Sequence, residues 1–152
     1  MIITEDEKLT AKESFALFLK ANKLRQTLER FRILEFVYSM DSLFSVDELH
    51  NLMCNNKLRV SLATIYNTLD LLQKSNLIIR HNFNNKTIKY EKTPSKSSNY
   101  YRICMQCGYV KEFTDKKLKK SISLRTFEAF STLHHSLYFY GICKKCKTKK
   151  RK

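Results

Sequence analysis

The sequence predicts an α+β protein of two small domains, a winged helix-turn-helix first and a compact α/β unit after it. Three observations carry this. Apolar residues recur at helical spacing behind serine and threonine caps up to about residue 75. Two β-prone runs joined by a short loop follow. Then comes Thr93-Pro94-Ser95-Lys96-Ser97-Ser98-Asn99, a stretch without large apolar side chains that holds the single proline. With 152 residues, 43% hydrophobic, two Gly and one Pro, the chain can bury real cores. It is not a loop-rich β-sandwich, a collagen-like rod or a disordered tail.

Taken in order, Thr10-Ala11-Lys12-Glu13 and Ser45-Val46-Asp47-Glu48 match the capping box, and each is expected to open a helix. Between them, Leu28, Phe31, Leu34 and Val37 at helical spacing predict another. Ser61 is expected to cap a recognition helix that turns Leu62, Ile65, Leu69 and Leu72 to the core and leaves Thr64 and Asn67 on the opposite face. Residues 77–83 and 87–91 predict a hairpin wing around Asn84-Asn85-Lys86. Beyond the boundary, short strands are expected over 100–105 and 109–113, a lysine-rich helix over about 115–130, and a long strand over 132–142. The expected domains are residues 1–92, a linker 93–99, and an α/β domain 100–146. Residues 147–152 form a basic tail, and nothing from 144 onward is assigned structure.

Charge is unevenly placed. The net is +15, with an isoelectric point near 9.7. Residues 1–92 carry 14 basic and 11 acidic side chains, and residues 93–152 carry 15 and 3, for nets of +3 and +12. Such a surplus favours a polyanionic partner, nucleic acid first. The first residues lack the basic-then-apolar pattern of an export signal, and nowhere do 18 apolar residues run together, so a cytoplasmic protein with no membrane partner is expected.

The five cysteines are then read as metal ligands or thiols rather than as a disulfide framework. Cys104-x2-Cys107 and Cys143-x2-Cys146 are two knuckles separated by 35 residues, each at the end of an expected strand. Two such pairs suit a tetrahedral, structural Zn2+ with Zn–S distances of about 2.3 Å. A thiol-redox pair, or four unconnected cysteines, would leave the same letters in the sequence. Cys54 reads as a small core residue, His50 as a helix-surface residue, and His134 and His135 as strand neighbours facing opposite sides.

Arg25, Arg30 and Arg32 around the second helix, Arg59 before the recognition helix and Arg80 in the wing suit contact with phosphates. A solvated charged face would look similar, and Lys116, Lys117, Lys119 and Lys120 read as one.

From about Leu24 to Cys146 these residues resemble the ferric uptake regulator family of bacterial metal-responsive repressors. Ser61-Leu62-Ala63-Thr64-Ile65-Tyr66 resembles its recognition helix, and Arg80-His81-Asn82-Phe83 its wing. Cys104-x2-Cys107-Gly108 with Val110 and Glu112-Phe113 resembles the start of its dimerisation domain, and His135-Ser136-Leu137-Tyr138-Phe139-Tyr140-Gly141-Ile142-Cys143 its final strand. The resemblance implies that the second domain is a small α/β dimerisation domain. It also implies a homodimer that offers two winged helices to a palindromic, A·T-rich stretch of double-stranded DNA. Tyr66 is then expected on thymine methyls and backbone, and Arg25 in the minor groove. Asn67 stands where the family usually has Arg, which shifts preference from guanine towards adenine.

Family members hold a regulatory Fe2+, Mn2+ or Zn2+ between their domains. Here the His-rich stretch before the first knuckle reads Ser97-Ser98-Asn99-Tyr100-Tyr101, the residues before the third helix are Leu43-Phe44, and second-domain acids are replaced among Lys119, Lys120 and Leu124. Glu91 and His135 remain. Three sensing readings stay open: a rebuilt site on Glu91 and His135 with His134 or His81, another effector such as haem, or no small effector. The expected protein is thus a DNA-binding transcriptional regulator, repression being its expected mode, with no enzymatic activity and no small-molecule substrate. The alternatives are a zinc-ribbon RNA-binding or ribosome-associated protein and a thiol-redox enzyme.

Overall fold

The computed structural model describes residues 5–84, 87–93 and 99–149. It divides into two compact units, Met1–Asn82 with Ile88–Thr93, and Phe83–Thr87 with Pro94–Lys152. The loop residues Asn85 and Lys86, the linker residues 94–98 and the final residues 150–152 lie outside the described residues.

The first unit runs α1 (Glu5–Ala21), α2 (Leu28–Ser39), α3 (Val46–Asn55) and α4 (Leu62–Lys74), then most of the paired strands β1 (Ile78–Asn84) and β2 (Thr87–Lys92), whose tip from Phe83 to Thr87 groups with the second unit. Two of the expected caps form. The Glu48 N–H donates to Ser45 Oγ at 3.2 Å, while the Ser45 N–H donates to the Glu48 carboxylate at 2.6 Å. Phe44 and Leu49, one residue before that cap and four after it, are both buried in the same cluster, the positions of a hydrophobic staple. Ser61 Oγ accepts the Thr64 N–H at 3.1 Å and starts α4. Lys57, at φ 60, turns the chain between α3 and α4.

Thr10 does not open a helix. The chain is already helical from Glu5, and the Thr10 hydroxyl donates to the Asp6 carbonyl at 2.8 Å, a bond made inside a helix. Acidic Glu5, Asp6 and Glu7 at the start suit the positive end of the helix dipole, so initiation moves upstream of the threonine. Two residues expected on the core side are exposed, Leu28 at 73% and Leu62 at 45%, because each is the first residue of its helix and has no turn before it to pack beneath. Ile33, Leu34, Val37, Leu49, Met53, Ile65, Leu69 and Leu72 form the core. Cys54 is exposed rather than in the core, 3.6 Å from His50 Nε2 one helical turn earlier. Phe44 and Tyr90 exchange two backbone hydrogen bonds of 2.9 and 2.7 Å, which add a short bridge to the wing.

The second unit holds β3 (Asn99–Cys104), β4 (Val110–Phe113), α5 (Lys116–Ser123), β5 (Ser136–Gly141) and α6 (Lys144–Lys149). Its sheet has the order β4-β3-β5, with β3 antiparallel to β4 and parallel to β5. The helix expected over 115–130 stops at Ser123. None of its residues is buried in this unit, and a short helix without tertiary packing gains little by growing. The last strand begins at Ser136, where pairing with Asn99 begins, and the residues from Thr132 have no partner strand among the described residues. His134 and His135 therefore precede the strand and do not alternate across it. The chain after Cys143 forms α6, where Thr148 Oγ donates to the Lys144 and Lys145 carbonyls.

Candidate metal centre and nucleic-acid interface

Cys104 closes β3, Cys107 follows one turn later, Cys143 follows β5, and Cys146 lies in the first turn of α6. Gly108 makes the first knuckle tight. Its φ of 72 is a left-handed conformation open to glycine, and its N–H donates to the Cys104 carbonyl at 2.9 Å. The second knuckle is tied to the first when the Cys143 N–H donates to Cys104 Sγ at 3.3 Å. All four sulfurs lie within 4.8 Å of one another, and those of Cys107 and Cys143 are 3.8 Å apart. A tetrahedron with Zn–S bonds of about 2.3 Å has edges of about 3.8 Å, so the donor set fits zinc and leaves no open position.

The electrostatics agree with that fit. The backbone N–H groups of Cys143 and Cys107 pull the Cys104 thiol down to about 6, whereas neighbouring thiols, Cys143 foremost, push Cys146 up to about 12. Crowded sulfurs resist becoming anionic together, and a divalent cation removes that resistance.

The residues expected at a regulatory site are arranged differently. In the first unit His81 and Glu91 are both buried, with Nε2 2.8 Å from the Glu91 carboxylate. In the second unit His134 is exposed, and His135 holds a buried Nε2 without a hydrogen-bond partner among the described residues, its ring 6.3 Å from that of Tyr100. Tyr100 and Tyr101 are fully buried. Among the described residues, the four cysteines are the one group of three or more side chains suited to share a metal.

On α4, Ile65, Leu69 and Leu72 anchor the inner face, while Ser61, Tyr66 and Asn67 are exposed, Tyr66 at 53%. Thr64 is half-buried, with its Oγ1 2.9 Å from Ser61 Oγ. Arg25 is exposed, and Arg30 is half-buried with its guanidinium donating to the Arg25 carbonyl. Arg59 and Arg80 are exposed. One tie escaped sequence reasoning: Lys89 in the wing reaches Glu48 of α3 at 2.7 Å. Strand alternation places Lys89 on one wing face, but nothing in the sequence pairs it with a residue 41 positions away.

No helix among the described residues is long and apolar enough to cross a membrane. The model of the ferric uptake regulator family matches residues 21–140. The ferric uptake regulation protein of Klebsiella pneumoniae is 34% identical over 131 residues, covering 82% of this chain and 81% of its own. That of Campylobacter jejuni is 28% identical over 155 aligned positions, covering 100% of this chain and 98% of its own. The structure of the ferric uptake regulator from Pseudomonas aeruginosa with manganese superposes with a TM-score of 0.68 at 26% identity, covering 83% of this chain and 95% of that one. These matches leave the RNA-binding and thiol-redox alternatives without support. The chain belongs to the ferric uptake regulator family, whose members are DNA-binding transcription regulators and not enzymes.

Proposed function

We propose that the protein is a cytoplasmic repressor that binds an A·T-rich palindrome as a homodimer, with one structural zinc per chain and without the family's usual regulatory metal site. The observation that carries the DNA reading is α4, a helix fixed from below by buried Ile65, Leu69 and Leu72 and offering Ser61, Tyr66 and Asn67 outward. In a helix-turn-helix that outward face enters the major groove. Tyr66 packs on thymine methyls, Asn67 pairs with adenine, Thr64 and Ser61 set the start of the helix against the backbone, and Arg25 and Arg30 serve the phosphates and minor groove.

Residues 1–92 make the DNA-binding domain and 100–146 the dimerisation domain, with 93–99 as linker and 147–152 as a basic end. Leu124, Phe127, Phe130 and Leu133, each at least 60% exposed, supply an apolar surface for the second copy. Cys104, Cys107, Cys143 and Cys146 hold the zinc, which cross-links the end of β3 to α6. The loss of the regulatory site is supported by Leu43, Tyr100, Tyr101 and Lys119 standing near positions of family ligands, and by Glu91 already partnered by His81.

Tyr66→Ala is expected to weaken operator binding at least about tenfold, roughly the 1–3 kcal/mol of a base-specific contact. Its melting temperature should barely move, because the side chain is half in solvent. Fluorescence anisotropy on a labelled palindrome, paired with thermal denaturation, measures both. Unchanged operator affinity would mean that α4 is not the reading helix.

A further inference from the structure

The C-terminal unit contains an open cavity of about 490 Å³ that shares Cys104 and Cys143 with the zinc site but has other walls that neither the DNA nor the zinc reading uses. It lies beside the cysteine cluster, and its walls include Arg102, Lys111, Lys144, Tyr109, Phe139 and Tyr140, with no carboxylate among its lining residues. The strand register explains how these side chains meet. Arg102 stands opposite Lys111 on β4 and opposite Phe139 on β5, so all three share one face of the sheet. Like charges placed directly opposite repel. Among the described residues no carboxylate lies within 4.0 Å of Arg102, Lys111 or Lys144 to relieve that repulsion. The Arg102 guanidinium lies 5.2 Å from the centre of the Phe113 ring, a contact that holds it against the sheet. At Gly141 an added Cβ would meet nothing within 4 Å, which marks open space beside Cys104.

Cations without carboxylate partners among the described residues, beside exposed aromatic rings in a concave site, make a recognisable donor set. Guanidinium and ammonium groups take phosphate oxygens, and rings take the face of a base. The volume falls within the range of small-ligand sites. We infer that this cavity binds a free nucleotide carrying two or more phosphates, with Arg102, Lys111 and Lys144 on the phosphates and the rings of Tyr109 and Phe139 against the base. A bare inorganic anion would leave the aromatic walls unused. The lining lies wholly in the C-terminal unit, so the inference stands or falls apart from the operator reading.

Calorimetric titration of the full-length, zinc-loaded protein with ADP, adenosine, inorganic phosphate and a short thymidine oligonucleotide tests this. ADP is expected to bind saturably, and at least about tenfold more tightly than adenosine or phosphate. Lys111→Glu should weaken ADP binding at least about tenfold by reversing a charge. Gly141→Leu should abolish it by filling the open space, with zinc content and size-exclusion profile as in the parent for both variants. The inference is overturned if ADP produces no binding heat, if phosphate binds as well as ADP, or if both variants bind ADP normally. Preference for the oligonucleotide, lost in the same variants, would overturn it in favour of a single-strand site. ADP binding confined to a dissociated monomer would exclude the cavity from the working dimer.

Discussion

In the N-terminal unit fifteen side chains, from Phe15 on α1 to Tyr90 in the wing, form one buried cluster. The C-terminal unit buries Phe83, Tyr100, Tyr101, Ile103, Cys104 and Cys146 but leaves Leu124, Phe127, Phe130, Leu133 and Phe139 in solvent. The first unit can be stabilised by apolar burial alone, at about 25 cal/mol per Å² removed from water. The second is smaller and more open, and on the proposed reading it rests on a four-sulfur cross-link and on cover from a second chain. The unit proposed to read DNA therefore has a core of its own, and the unit proposed to pair copies depends on what it binds.

The sharpest way to break this comparison is to remove the cross-link. Cys104→Ser should release zinc and unfold the second unit, because structural zinc in small domains contributes roughly 10–16 kcal/mol of binding free energy that is also folding free energy. Hydrogen exchange should then show protection lost over residues 99–149 and kept in α2, α3 and α4. A variant that stays zinc-free and protected throughout would contradict the account.

Leu49→Ala makes the complementary cut. Leu49 is fully buried, and its truncation should cost about 2–5 kcal/mol in the N-terminal unit while zinc content stays unchanged. Chemical denaturation paired with zinc analysis measures both.

The smallest expected effect is a pH dependence. The Lys89 ammonium, followed by hydrogen bonds from Ser45, holds the Glu48 carboxyl below its ordinary value of 4.5. A carboxyl lowered in the folded state adds stability above its unfolded value and loses it as pH falls through the folded one. Glu48→Gln should thus destabilise the N-terminal unit at neutral pH by at most about 1 kcal/mol, since the pair is largely solvated, and the difference should vanish in acid. Denaturation midpoints of parent and variant at pH 7 and pH 3 read this out.

The same contrast governs how far the sequence could be read. Ser45, Ser61 and the two Cys-x2-Cys knuckles were legible because local hydrogen bonds and ligand spacing decide them. The helical face of α4 was legible because its apolar period meets a core supplied by the same unit. The length of α5 was not, because Leu124, Phe127 and Phe130 continue an apolar spacing whose cover does not come from this unit. Nor was α6, whose lysines read as a solvated tail until Cys146 anchors its first turn. Cys54 followed the general tendency of cysteine to be buried and proved exposed, since its side of α3 faces away from Leu49 and Met53. The pairing of His81 with Glu91 needs the hairpin to bring residues ten apart together, which neither residue announces.

The decisive measurement is operator affinity of the purified protein of known metal content, before and after addition of Fe2+, Mn2+, further Zn2+ or haem. One zinc per chain and an affinity indifferent to every addition is the predicted result. A second equivalent of any of these that changes operator affinity at least about tenfold would contradict it and restore a sensing site, with Glu91 and His135 the first residues to replace.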